Sequence, residues 1–283
     1  MCNPVTHTGS KSPIKAVVII PARYSSTRLP GKPLLEIAGK PLIVWVAQRA
    51  CAASTISRTI VATDDPRIVD AVNDAGFDAA ITRADHATGT DRIAEVAHNL
   101  RADIIVNVQG DEPLIDPATI DRAVQALIDD PTAQMSTTCE PITDAADVVN
   151  PSVVKVTIDD QGYANGFSRN PIPFPNQAVA KDGSLESSPD QSGLLFSFRK
   201  HTGLYAYRRD FLLEFARWPQ SENERKESLE QLRALDRGVK IKVVEAASPS
   251  IGVDTMEDLE RVRAMMSEPP TIAGGQSGAV SSA

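Results

Sequence analysis

The chain has 283 residues, with 29 Lys and Arg against 37 Asp and Glu, a formal net charge of −8 at pH 7, and 42% hydrophobic and 23% charged residues. That length suffices for one large domain or two small ones with a sizeable core, and the composition is that of a globular chain rather than a disordered one. The acidic balance excludes a general nucleic-acid or anionic-membrane surface, so any polyanionic ligand must be met by a local group of cations.

Cys2, Cys51 and Cys139 are far apart and show no C-x-x-C spacing, which supports neither a disulfide framework nor a zinc site and fits a reducing cytoplasm. Residues 1–13, without the apolar core of a secretion signal, read as a flexible leader. The short β-branched runs 16–20, 59–63, 103–108, 153–158 and 240–246 read as strands of a sheet interior. Between them, 41–53, 66–75, 90–100 and 117–128 carry apolar residues at helical spacing, with Ile93, Val96, Ala97 and Leu100 forming one such face. Strands alternating with helices predict an α/β fold with a mostly parallel sheet covered by helices, because parallel neighbours need crossover connections. Residues 174–198, rich in Pro, Gly, Ser and Asp, read as a long surface loop. Helices are predicted at 222–237 and 255–266, and the small residues of 267–283 predict a disordered tail. No run approaches the roughly 18 apolar residues of a membrane span, so no membrane insertion is expected.

The loop after the first strand gathers Arg23, Arg28 and Lys32 with Ser25, Ser26, Thr27 and Gly31. Singly, these cations read as solvated surface charges. Together, beyond the carboxyl end of a strand where α/β sheets bind ligands, they suit an oxyanion-rich ligand such as a triphosphate. The loop is not a Walker A motif, because "PGKP" has proline where a magnesium-binding Ser or Thr belongs; nor is it a G-x-G-x-x-G turn. Prolines 21, 30 and 33 hold it extended instead.

"PARYSSTRLPGKPL", followed in order by "NVQGDEPLI" and "GVDTMEDLERV", resembles the signature of the 3-deoxy-manno-octulosonate (Kdo) cytidylyltransferases, and the match runs from about residue 16 to 266. The resemblance implies a Rossmann-like nucleotidyltransferase fold over 14–266. It also implies a small dimerisation and sugar-binding subdomain at about 134–207, and a homodimer.

Two aspartates follow from those motifs. Asp111 and Glu112 come directly after Gly110, and an isolated carboxylate there reads as a loop or helix cap. Asp254 precedes Thr255 and Asp258, whose spacing is that of a capping box, with Asp shorter than the usual Glu; the box explains Thr255 and leaves Asp254 without a structural duty. Nucleotidyl transfer needs a divalent metal to offset phosphate charge, and magnesium takes one or two protein carboxylates. The resemblance implies that Asp111 and Asp254 coordinate Mg2+; Arg23, Arg28 and Lys32 are expected to balance charge on the triphosphate and the departing pyrophosphate, which makes Lys32 a catalytic candidate as well. Ser26 and Gln109 are further donor-contact candidates.

On the acceptor side, His201 reads by itself as a polar residue at a strand edge, and Tyr205 and Tyr207 as alternate positions on one sheet face. The resemblance implies that Arg169, His201, Tyr205, Glu230 and Gln231 face the sugar acid, where an arginine fork suits a carboxylate and Glu230 and Gln231 suit hydroxyls. The expected reaction is CTP plus Kdo giving CMP-Kdo and pyrophosphate, feeding lipopolysaccharide synthesis in the cytoplasm. Alternatives are a cytidylyltransferase for sialate or 8-amino-Kdo, a hexose-phosphate nucleotidyltransferase, and a catalytically silent nucleotide sensor.

Overall fold

In the computed structural model the described residues are 14–25, 28–171 and 198–267. The expected leader, Ser26, the tail from 268 and the expected loop as far as 197 lie outside them. The first strand, β1 (Ala16–Ala22), is buried along nearly its whole length, as a run of β-branched residues flanked on both faces should be. A minor hairpin, β2 (Glu36–Ile37) and β3 (Lys40–Pro41), leads into α1 (Leu42–Cys51) and β4 (Ile56–Thr63). Then α2 (Pro66–Asp74), β5 (Asp78–Ile81), α3 (Gly89–His98), β6 (Ile104–Asn107) and α4 (Pro117–Asp129) complete the first half. Helix starts are locally encoded: the Asp65 and Asp116 side chains accept from N–H groups of the first turns of α2 and α4, each with Pro at its head, and Thr88 and Asp91 form a capping box on α3.

The second half contains β7 (Met135–Pro141), α5 (Ala145–Val149), β8 (Lys155–Ile158), β9 (Ala164–Ser168), β10 (Arg199–Arg208), α6 (Arg209–Phe215), α7 (Glu222–Glu227), α8 (Leu232–Leu235), β11 (Ile241–Glu245) and α9 (Met256–Ser267). The strand order of the main sheet is β11-β7-β10-β6-β1-β4-β5, with the β8–β9 hairpin attached to β10. The β1–β4, β1–β6, β4–β5 and β7–β11 pairs are parallel. Only β10 runs against its neighbours in that row, pairing antiparallel with β6 and β7. The mostly parallel, helix-covered sheet expected from the sequence is therefore present.

Two cores lie on the two faces. Val18 and Ile20 pack in one cluster with Leu42, Ile43, Ile120 and Leu259, while Val17 and Ile19 pack in the other with Ile93, Ala97, Phe211 and Leu232. Each such side chain contributes about 1.5–3 kcal/mol when fully buried, so alternate residues of β1 fix that strand between both layers. The chain leaves β1 towards β4 on one side and returns as β6 on the other, which makes the carboxyl ends of β1 and β6 a topological switch point.

Three expectations need correction. Residues 222–237 are not one helix: Ser228 adopts a left-handed conformation (φ 53°) that ends α7. Its carbonyl and that of Glu227 are taken up by the Arg169 guanidinium rather than by a further helical turn. The strands β5, β7, β9 and β10 escape a search for β-branched apolar runs. The cause is plain in β7, "MSTTCEP", which is polar in sequence yet buried over its first six residues. Finally, Cys139 is free and buried, but Cys51 is disulfide-bonded, a pairing that residue spacing does not disclose.

Gly110 marks where β6 passes β1. A Cβ there would lie 2.7 Å from the Pro21 carbonyl oxygen, a backbone atom that cannot rotate away. Gly110→Ala is expected to cost about 1–3 kcal/mol through overpacking, lowering the unfolding midpoint by roughly 2–10 °C for a chain of this size. A thermal melt indistinguishable from wild type would show that the two strands separate freely.

Candidate active site at the carboxyl ends of β1 and β6

The cationic loop is shaped by its backbone. Gly31 takes a left-handed conformation (φ 68°) with its Cα against the Tyr24 ring, and its N–H donates 3.1 Å to the Tyr24 carbonyl. A 3-10 turn, Lys32–Leu34, starts there and buries Pro33, so this part of the loop is turned rather than extended as its prolines predict, the fixed φ of proline suiting the head of a helical turn as well. The Tyr24 ring is in turn covered by the Arg67 guanidinium, 3.5 Å from its centroid. Lys32 is thereby held at the mouth of the switch point.

From the other side come the two aspartates. Asp111 follows β6, Asp254 precedes α9, and the Val253 N–H donates 2.8 Å to the Asp111 carbonyl, tying the two segments together. The Lys32 Nζ lies 2.7 Å from Asp111 Oδ2 and 3.1 Å from Asp254 Oδ1. Arg28 adds a 3.0 Å contact to Asp254, with its own side chain 65% exposed. The fold thus unites Lys32, Arg28, Asp111 and Asp254. The capping box expected of Thr255 and Asp258 is present in both directions despite the shorter acid: Asp258 N–H donates to Thr255 Oγ1 at 3.2 Å, and Thr255 N–H to Asp258 Oδ2 at 2.9 Å. The Asp254 side chain takes no part in it.

Two hard carboxylate oxygens converging on one cation within about 3 Å form a donor set that fits a magnesium ion, which takes few protein ligands and keeps water or phosphate in its other positions. Among the described residues no group of three or more His, Cys, Asp or Glu converges in the way a closed protein cage would. Glu112 does not join the pair. Burial, and next the charge of Asp111, push its pKa up to about 8.

The other residues expected to contact the nucleotide make no hydrogen bond to this cluster among the described residues. Arg23 turns to the His86 carbonyl, 2.6 Å away, and not to an acid. The Gln109 amide donates 3.0 Å to the carbonyl of Gly203 on β10.

The acceptor-side residues sit mostly on β10 and in the segment after Ser228. His201 is buried rather than at an open edge. Its Nε2 lies 2.8 Å from Thr137 Oγ1, its ring touches Phe167 and Tyr205, and burial pulls its pKa down to about 3. It is therefore neutral at pH 7. Burial raises the Tyr205 phenol far above its usual value, with Glu230 adding to the effect. Glu230 accepts from Thr90 Oγ1 at 2.5 Å and from Arg233 Nη2 at 3.1 Å; burial raises its pKa against those two stabilising contacts. Gln231 is buried, and its amide nitrogen has no hydrogen-bond partner among the described residues, nor has the Asn107 Oδ1 on β6. Arg169 stands apart: its guanidinium donates to the carbonyls of Pro151, Glu227 and Ser228, and it makes no hydrogen bond to the other four acceptor-side residues.

Sequence reading passed over Arg233, Glu224, Thr90 and Asn107. Arg233 is buried and bidentate to Glu224 (2.8 and 2.6 Å) while holding Glu230. The three-residue spacing of Glu230 and Arg233 was a usable signal; nothing local signals Thr90, which is 140 positions away from Glu230.

A family model described as Cytidylyltransferase matches residues 17–241. The chain is 50% identical over 255 residues to a 3-deoxy-manno-octulosonate cytidylyltransferase of Trichlorobacter lovleyi, covering 90% of this chain and 100% of that one. It is 45% identical over 254 residues to the protein of that name from Escherichia coli, covering 90% and 97%. Among solved structures it resembles a CMP:2-keto-3-deoxy-manno-octonic acid synthetase complexed with CTP, with a TM-score of 0.79, 45% identity, and 89% and 98% of the two chains covered. A 4-diphosphocytidyl-2C-methyl-D-erythritol synthase from Anaerococcus prevotii, 15% identical with a TM-score of 0.58 over 90% of this chain and 97% of that one, shares the fold.

Asp111→Asn and Asp254→Asn are each expected to abolish turnover while leaving the unfolding midpoint within about 2 °C, since neither side chain is deeply buried. Full turnover in both variants would remove the carboxylate pair from the chemistry. His201 gives a pH signature. The unfolded chain binds a proton near pH 6.5 that the folded chain refuses until about pH 3, so its contribution is present above pH 6.5 and is lost as pH falls through that window. The stability gap between wild type and His201→Gln should narrow between pH 7 and pH 4, and a constant gap in denaturant titrations would contradict a buried neutral imidazole.

Proposed function

The chain belongs to the 3-deoxy-manno-octulosonate cytidylyltransferase family, and from that membership we propose that it transfers CMP from CTP to Kdo, giving CMP-Kdo and pyrophosphate. One observation carries the reading: Lys32 sits between Asp111 and Asp254 at the switch point, in a fold that is similar to a synthetase of this kind complexed with CTP.

The hydroxyl on C2 of the sugar attacks the α-phosphorus in line. A new O–P bond forms, the bond to the β-phosphate oxygen breaks, and the hydroxyl proton passes to solvent while pyrophosphate leaves. Asp111 and Asp254 would hold Mg2+, which supplies positive charge to the phosphate oxygens and lowers the barrier that an incoming oxygen meets. Arg23, Arg28 and Lys32 offset the charge of the triphosphate and of the departing pyrophosphate. Such binding would exchange partners rather than expose charges, since Asp111 and Asp254, now paired with Lys32 and Arg28, would hold the metal and leave those cations for phosphate. Gln109 and Ser26 add neutral contacts.

On the acceptor side, Glu230, Gln231 and Tyr205 provide hydrogen-bonding groups for sugar hydroxyls. His201, neutral, contributes a hydrogen bond without charge, and the N–H groups of Arg169 not engaged with carbonyls are those left for the sugar carboxylate. We place the enzyme in the cytoplasm as a homodimer supplying activated Kdo for lipopolysaccharide. Among the described residues no helix is long and apolar enough to cross a membrane.

The test is pyrophosphate release with magnesium, each common nucleoside triphosphate, and Kdo or sialate, with the product identified by mass. Release with CTP and Kdo together supports both assignments. Release with CTP and sialate alone would overturn the sugar assignment, and CTP binding without turnover would favour a silent sensor.

A further inference from the structure

Arg23 differs from the other two loop cations in having no acidic partner among the described residues. Its Nη2 donates 2.6 Å to the His86 carbonyl, and its other N–H groups make no hydrogen bond among the described residues. That carbonyl is fixed through its own side chain. The buried His86 ring meets Glu95 of α3 through Nε2 and Oε2. A carboxylate can only accept, so the proton lies on Nε2 whatever charge the ring carries. The same Glu95 oxygen accepts the backbone N–H of Arg83 at 3.2 Å, so one carboxylate grips both ends of residues 83–86. Burial opposes charge on Glu95, yet its bonds to His86 and Arg83 outweigh that cost and hold its pKa below the usual range.

The flanks of this segment are pinned as well. Thr82 donates its N–H 2.8 Å to the Thr63 carbonyl, and its hydroxyl meets the fully buried guanidinium of Arg92. Thr88 closes the other end as the cap of α3. The segment thus has more anchors than a plain connection requires, and the His86 carbonyl within it is the one that tethers Arg23.

We propose that Glu95 and His86 are positioning residues for Arg23: they immobilise the carbonyl that holds one corner of its guanidinium, so that the free part of the fork is directed at the oxygens of the triphosphate. The proposal rests on the CTP reading above. Arg alone suits this use, because a planar fork tethered at one nitrogen keeps its remaining N–H groups in known directions, whereas a lysine so tethered would swing. An ordered donor loses less entropy when phosphate binds.

The experiment is steady-state kinetics on the full chain with CTP, Kdo and magnesium. Glu95→Ala and His86→Phe, the second keeping the bulk of the ring, are each expected to raise KM for CTP about tenfold. KM for Kdo and the unfolding midpoint should change little. Glu95→Gln, which retains a carbonyl acceptor for both N–H groups, should recover CTP affinity to within about twofold of wild type. In an Arg23→Ala background, Glu95→Ala should add no further loss, because the pair acts through Arg23. Losses that multiply, or an unchanged KM for CTP in His86→Phe, overturn the proposal. If Arg23→Ala alone uses CTP as wild type does, the triphosphate reading of the loop falls together with it; if Arg23→Ala is impaired and His86→Phe is not, only the positioning role falls.

Discussion

A single ammonium group ties the candidate site together. Lys32 bridges carboxylates that lie 79 and 222 positions further along the chain, and the charged cluster forms where those three segments meet. Two carboxylates at one point repel, and each pair of unit charges 4 Å apart at an effective dielectric of 20 is worth about 4 kcal/mol before desolvation. With Lys32 between them and Arg28 at the rim, two negative charges face two positive ones, and the cluster closes neutral. Lys32, at 15% side-chain exposure, carries more of this compensation than Arg28, whose exposed bridge is screened by solvent.

The region around Glu230 and Arg233 is built on the opposite plan. There the charges are enclosed, with Arg233 fixed by Glu224 and Glu230 in a buried network. Breaking one member of such a network leaves an uncompensated buried ion, so its geometry is stiff. The helix break at Ser228 belongs to the same construction, since it turns Glu230 back towards Thr90 on α3 while Arg169 satisfies the carbonyls that the break exposes.

Strand β10 joins the two halves. By running against β6 it puts Tyr205 opposite Asn107 and brings the Gly203 carbonyl to the Gln109 amide, two residues from Asp111. Gly203, at φ 78°, lies in the register shift between His201 and Tyr205, so the ladder is irregular where the Gln109 amide reaches the strand. A parallel strand in that place would have carried the His-to-Tyr segment to the sheet's other end.

The sequence by itself determined what depends on neighbours along the chain. The β-branched run of β1 marks a strand flanked on both faces, the spacing of Thr255 and Asp258 sets a helix start, and the prolines around Gly31 stiffen a loop with three cations. It also carried the family signature, because those motifs keep their residues and their order. Tertiary structure alone decided which charges meet. Nothing near Lys32 in the chain points to Asp254, nothing near Glu230 points to Thr90, and nothing in "MSTTCEP" tells that a polar strand is covered on both faces. Periodicity records the direction a side chain takes from its own backbone. The partner it finds there depends on how sheet order and crossovers bring distant segments together, and that is set by the packing of the whole chain.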